Sequence, residues 1–87
     1  MRKSADLTKE TFGVAIGRLV LERRTAAGMT QLELALEAFE DDTKVRRIVE
    51  LENGQVKRPQ AKTLGPLYET LNISDTEVAS LKAASFD

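Results

Sequence analysis

The chain has no cysteine and no histidine. Without cysteine there is neither a disulfide framework nor a thiolate nucleophile. Without histidine the commonest general base and the commonest metal ligand are gone. Aromatic residues make up only 5% of the 87 positions, against 41% hydrophobic overall, so a core has to be built from Leu, Ile, Val and Ala. That composition favours helix packed on helix over a β-sandwich. No apolar run approaches the ~20 residues a bilayer requires, and the N-terminus lacks the apolar centre of a signal peptide. A cytoplasmic location without a membrane partner is therefore expected. No phosphate-cradling glycine loop is present. Carboxylates occur side by side at Asp41/Asp42 and close together at Glu50/Glu52, but adjacent acids on a turn read as caps or solvated charge. The run Glu40-Asp41-Asp42 also lacks the alternating ligand spacing of a calcium loop. The expectation is a single small domain that is not an enzyme and holds no cofactor or metal.

Charge is nearly balanced overall, at −1, but unevenly spread. Residues 1–43 carry −2, residues 63–87 carry −3, and the stretch 44–62 between them carries +4. Its cations are Lys44, Arg46, Arg47, Lys57, Arg58 and Lys62, against Glu50 and Glu52. Screening limits how far the distant acids are felt, so a local positive patch can steer a polyanion even on an acidic protein. The alternative is a solvated charged loop.

Periodicity and punctuation predict five helices after a polar tail at residues 1–8, with the domain spanning 9–87. The first helix spans 9–27, with Phe12, Ile16, Leu19 and Val20, extended by Ala26, as its apolar stripe. Arg18, Glu22 and Arg24 fall on or near its wet face, and Gly28 ends it. Thr30 and Glu33 form a capping box that opens a short, mostly apolar second helix, as expected of a helix wedged between two others. The third, 44–53, takes Asp42 or Thr43 as its cap, turns Val45, Ile48, Leu51 and Glu52 inward, and stops at Gly54. A basic loop leads to Pro59 and a fourth helix, 60–71, whose start Pro66 displaces towards Thr63. Ser74 and Glu77 cap a fifth helix, 75–85, with Val78, Leu81 and Ala84 inward.

Two short helices joined by a turn suit a reader of the DNA major groove, one bracing and the next presenting side chains to base edges. The candidate base-reading residues are Gln31, Thr43, Lys44, Arg46, Arg47 and Glu50. Arginine matches the O6/N7 acceptor pair of guanine through two hydrogen bonds. Thr30, Asn53, Gln55, Lys57 and Arg58 are candidates for the phosphate backbone. Glu52 is read as a brace that accepts from Arg24 on the first helix. The competing readings are ion pairs of Arg46 and Arg47 with Asp41, Asp42 or Glu50, and an ordinary exposed position for Gln31.

The combination Ile16-Gly17, Arg24-x-x-x-Gly28-Met29-Thr30-Gln31-x-x-Leu34-Ala35, Ile48-x-x-Leu51-Glu52-Asn53-Gly54 and Pro59 resembles the XRE-type helix-turn-helix family, the lambda-repressor-like and Cro-like DNA-binding domains. The resemblance covers residues 12–82. It implies an all-α, compact five-helix lambda-repressor-like bundle with a central helix-turn-helix, and binding of double-stranded DNA, often as a homodimer on two half-sites. It places Gln31 at the DNA-contacting start of the second helix, and Lys44, Arg46, Arg47 and Glu50 among the variable reading positions. Asn53 through Arg58 fall on backbone contacts, and Arg24 with Glu52 on the bracing ion pair. The link at 39–43 is longer than the family's usual turn, and the overall acidity departs from it too. The functional expectation is a transcriptional regulator, read as a repressor. The alternative is a protein-interaction, dimerising or antitoxin-like module whose DNA binding is weak or assisted by a partner protein or further domains. Leu81 and Phe86 mark either a self-association face or a satellite core contact.

Overall fold

The computed structural model describes residues 10–85. Five α-helices and no strand occur among them: α1 (Phe12–Ala26), α2 (Gln31–Phe39), α3 (Val45–Glu52), α4 (Ala61–Leu71) and α5 (Asp75–Ala84), with one 3-10 turn, Asp42–Lys44, leading into α3. This is the expected all-α five-helix bundle. The tail at 1–8 and Phe86 lie outside the described residues.

Local chemistry accounts for most boundaries. α1 begins later than the spacing suggested, because Thr11 caps it by accepting from the Val14 N–H at 3.3 Å. It closes on Gly28, whose φ of 72° is open to a residue without a Cβ. The Met29 N–H then returns to Arg24 O at 3.1 Å and the Gly28 N–H to Thr25 O at 3.0 Å, a Schellman closure. Thr30 and Glu33 form the expected reciprocal capping box on α2. Gly54 closes α3 as Gly28 closes α1, with the Gln55 N–H donating to Glu50 O at 3.0 Å. Pro66 does not displace the start of α4. The helix begins at Ala61 and runs through the proline, giving up only the hydrogen bond that an N–H at that position would make.

The core joins Ile16 and Val20 of α1, Leu34 and Ala35 of α2, Ile48 and Leu51 of α3, Leu64, Leu67 and Leu71 of α4, and Ile73 beyond it. Ala26 and Ala84, expected inward, are exposed. Each lies at the last turn of its helix, past the reach of the core. α2 is also less enclosed than its composition suggests: only Leu34 and Ala35 are buried, while Leu32 and Leu36 are each 47% exposed. α5 contributes no buried residue, and Val78 and Leu81 pack on the core from outside. Leu81 is thus a satellite core contact. An ion pair from Arg23 to Glu77 fastens α5 to α1, and a 2.8 Å bond from Arg23 to Asn72 O ties the end of α4 to the same side chain.

α1 and α3 approach so closely that only glycine fits between them. A Cβ at Gly17 would lie 2.0 Å from Leu51 O, and one at Gly13 would lie 1.9 Å from Val56 O. The two glycines, one helical turn apart, seat the end of α3 and the loop after it directly on the α1 backbone.

Candidate nucleic-acid interface

α3 is a two-faced helix. Val45, Ile48 and Leu51 turn inward, and Ile48 and Leu51 are each only 1% exposed. At 100° per residue, Arg46, Arg47 and Glu50 fall together on the other side, and all three are exposed. The ion pairs among the described residues are Arg18–Glu10, Arg23–Glu77 and Arg24–Glu52. Neither Arg46 nor Arg47 enters one, so the competing reading that paired them with Asp41, Asp42 or Glu50 does not hold. Their guanidinium donors face water.

The end of this helix is held by a part-buried polar network. Glu52, with a side chain 3% exposed, accepts from Arg24 Nε at 2.7 Å and from an Arg24 terminal nitrogen at 3.0 Å. Arg24 also donates to Met29 O at 2.7 Å, and Gln31 Nε2 donates to Glu52 Oε1 at 2.9 Å. The Glu52 carboxylate thus ties α1, the first residue of α2 and the last of α3, and Arg24 adds the α1–α2 turn. The hydrogen bonds that Arg24 donates to Glu52 hold its guanidinium above its ordinary pKa, so the cation persists at every pH of interest. The predicted brace is present. Two placements change with it. Arg24 is not on the wet face, its side chain being 12% exposed. The Gln31 amide nitrogen is engaged with Glu52, leaving its carbonyl oxygen as the group that can face outward.

The link between α2 and α3 also differs from expectation. α2 ends on Glu40, a non-glycine residue at φ 55°, with its N–H on Leu36 O at 3.0 Å. Asp41, rather than Asp42 or Thr43, is the cap, accepting from the Thr43 N–H at 2.9 Å and the Thr43 hydroxyl at 2.6 Å. Those bonds, the side-chain one foremost, lower the Asp41 pKa. Asp41 caps the 3-10 turn, and α3 itself has no side-chain cap. Thr43 and Lys44 therefore sit on this turn and not within α3, and the Thr43 hydroxyl proton is directed at Asp41.

Beyond α3 the structure brings Arg47, Glu50, Arg58 and Gln60 to one cleft of about 270 Å³. Arg58 and Lys57 also line a neighbouring cleft of about 370 Å³ with Lys82, Phe12 and Tyr68. Burial raises the Tyr68 pKa. Asn53, Gln55, Lys57 and Arg58 are all exposed around the α3 exit. Thr30 is exposed at the start of α2, where its oxygen accepts from the Glu33 N–H at 3.0 Å. Three features escaped the sequence reading: the close approach at Gly13 and Gly17, the Asp41 cap, and the Gln31–Glu52 bond. The Gly-x-x-x-Gly spacing in α1 was the available signal for the first.

The fold and this face define an all-α domain that presents to solvent one short, braced helix with two exposed arginines, followed by a basic loop. Compared with known proteins, the chain matches no family model, no curated protein and no solved structure.

Proposed function

We propose that the domain binds double-stranded DNA in a sequence-specific manner and regulates transcription, as a repressor that occupies its operator. The observation that carries this reading is the state of Arg46 and Arg47: outward and without an acidic partner among the described residues, on a helix whose opposite face is buried and whose end is locked to α1 and α2. A rigid helix of this kind fits the major groove, where arginine reads guanine. Arg47 and Glu50 are the primary reading residues, with Arg46 beside them. Lys57 and Arg58, on the loop seated against Gly13, grip phosphate. The resemblance to XRE-type helix-turn-helix domains supports the same assignment. The net charge of −1 leaves the work to the local patch, so affinity falls steeply with salt.

Selection of bound duplexes from a random pool, with the mass of the complex measured, yields the site and shows whether one or two copies bind. On the selected site, Arg47→Ala lowers affinity by about tenfold or more while leaving random-sequence binding nearly unchanged. Lys57→Ala weakens both equally and lowers the salt slope by about one. No duplex retained at low salt overturns the proposal. A protein-interaction role is favoured by a separate observation, the exposed Leu32 and Leu36, and is compatible with DNA binding because they lie on α2.

A further inference from the structure

The outer side of α2 carries a feature that DNA binding does not use. Leu32 and Leu36 are the two large hydrophobic side chains exposed on the molecule's described surface, each at 47%. They stand one helical turn apart on α2, and half-buried Met29, just before the Thr30 cap, and Phe39, in the last turn, pack against the core beside them, so the exposed apolar stripe is Leu32 and Leu36 with a half-buried border at each end. Met29 and Leu36 line a groove of about 420 Å³ whose other walls are Gly28, Glu33 and Glu37. At 100° per residue, Glu33, Glu37 and Glu40 run along one edge of this stripe, and Asp41 and Asp42 follow at its end. Between Arg24 and Lys44 there is no cation.

That charge pattern selects the occupant. A second copy laid stripe to stripe would oppose five carboxylates with five more, and nucleic acid or an anionic lipid surface would meet the same repulsion. We propose that α2 docks an amphipathic helix of a partner protein, with apolar anchors along one stripe and Lys or Arg beside them. α2 has nine residues, about two and a half turns, enough for two anchors. This inference is independent of the DNA-binding proposal: it uses none of the residues assigned to DNA.

The test uses a synthetic helix of about three heptads, with Leu at the seam positions and Lys at the flanks, labelled for fluorescence anisotropy. A peptide of the same composition in permuted order serves as control. The amphipathic peptide should bind saturably, and its amide shift changes on the isotope-labelled protein should centre on residues 29–40. The double variant Leu32→Ser/Leu36→Ser, which keeps the charge and replaces no buried residue, should lose about tenfold or more in affinity while still unfolding in one cooperative transition at a modestly lower temperature. Glu37→Lys should weaken binding and flatten its salt dependence. Absence of binding, equal binding of the permuted peptide, or shifts centred elsewhere overturns the proposal. So does sedimentation showing a dimer that the double serine variant dissociates, since a second copy would then own the face.

Discussion

At the scale of single residues, Glu52 and Gly17 govern whether α3 can be presented at all. The Glu52 side chain is enclosed, with its charge balanced by Arg24 and a third hydrogen bond accepted from Gln31. Removing one partner leaves a buried carboxylate unpaired, which costs far more than the pair contributes. Arg24→Ala should destabilise the domain by about 3–5 kcal/mol, and Gln31→Ala by about 1.5 kcal/mol, the worth of one hydrogen bond to a charged group. Urea denaturation checks both. Gly17→Ala places a methyl group 2.0 Å from Leu51 O, so α1 and α3 have to separate. A loss of about 1–3 kcal/mol is expected. The candidate site was legible where one residue type has one use: Arg24 and Glu52 pair across the fold as anticipated. It was not legible where competing partners were equally near in sequence. Nothing in the order of residues says that Gln31 turns to Glu52, or that Arg46 and Arg47 decline Asp41, Asp42 and Glu50.

At the scale of elements, the helix ends show which signals a sequence carries. Gly28, Gly54 and the boxes Thr30/Glu33 and Ser74/Glu77 act as read, because each supplies a conformation or an acceptor that few other residues supply. Glu40 does the work of a glycine without being one, at φ 55°, and a glutamate leaves no mark of that in the sequence. The left-handed conformation strains any residue with a Cβ. Glu40→Gly should therefore raise stability by about 0.5–1 kcal/mol, after allowing for the extra freedom glycine gives the unfolded chain. A higher urea midpoint at an unchanged slope would confirm it, whereas a lower midpoint would mean that the α2–α3 link is held by contacts of the glutamate side chain. The partial exposure of α2 was hidden for a related reason. Periodicity counts apolar residues, and Leu32 and Leu36 are apolar, but only two positions of this helix have neighbours to bury them.

At the scale of the whole molecule, α5 is held by the packing of Val78 and Leu81 and by a part-exposed ion pair, and the ion pair adds a modest sensitivity of stability to acid. Arg23 on α1 donates to Glu77, and the Ser74 N–H adds a second bond, so the Glu77 pKa lies below its ordinary value of 4.5. Arg18 lowers Glu10 in the same way at the start of α1, and Thr43 lowers Asp41 at the central link. A carboxylate whose folded pKa is depressed stabilises the fold fully at pH above its unfolded value. That stabilisation disappears as pH falls through the folded value. The urea midpoint should therefore hold steady down to about pH 5 and drop below 4.5, the region in which the unfolded chain takes up protons first. Glu77→Gln removes one of the three groups responsible. It should be less stable than the parent at neutral pH and show a shallower decline in acid, so that the two curves converge. Arg23→Gln should reproduce that shape, because it withdraws the donor that sets the shift. Parallel curves for the parent and both variants would show that the tie between α1 and α5 does not hold Glu77 in solution, and that α5 is retained by Val78 and Leu81 alone.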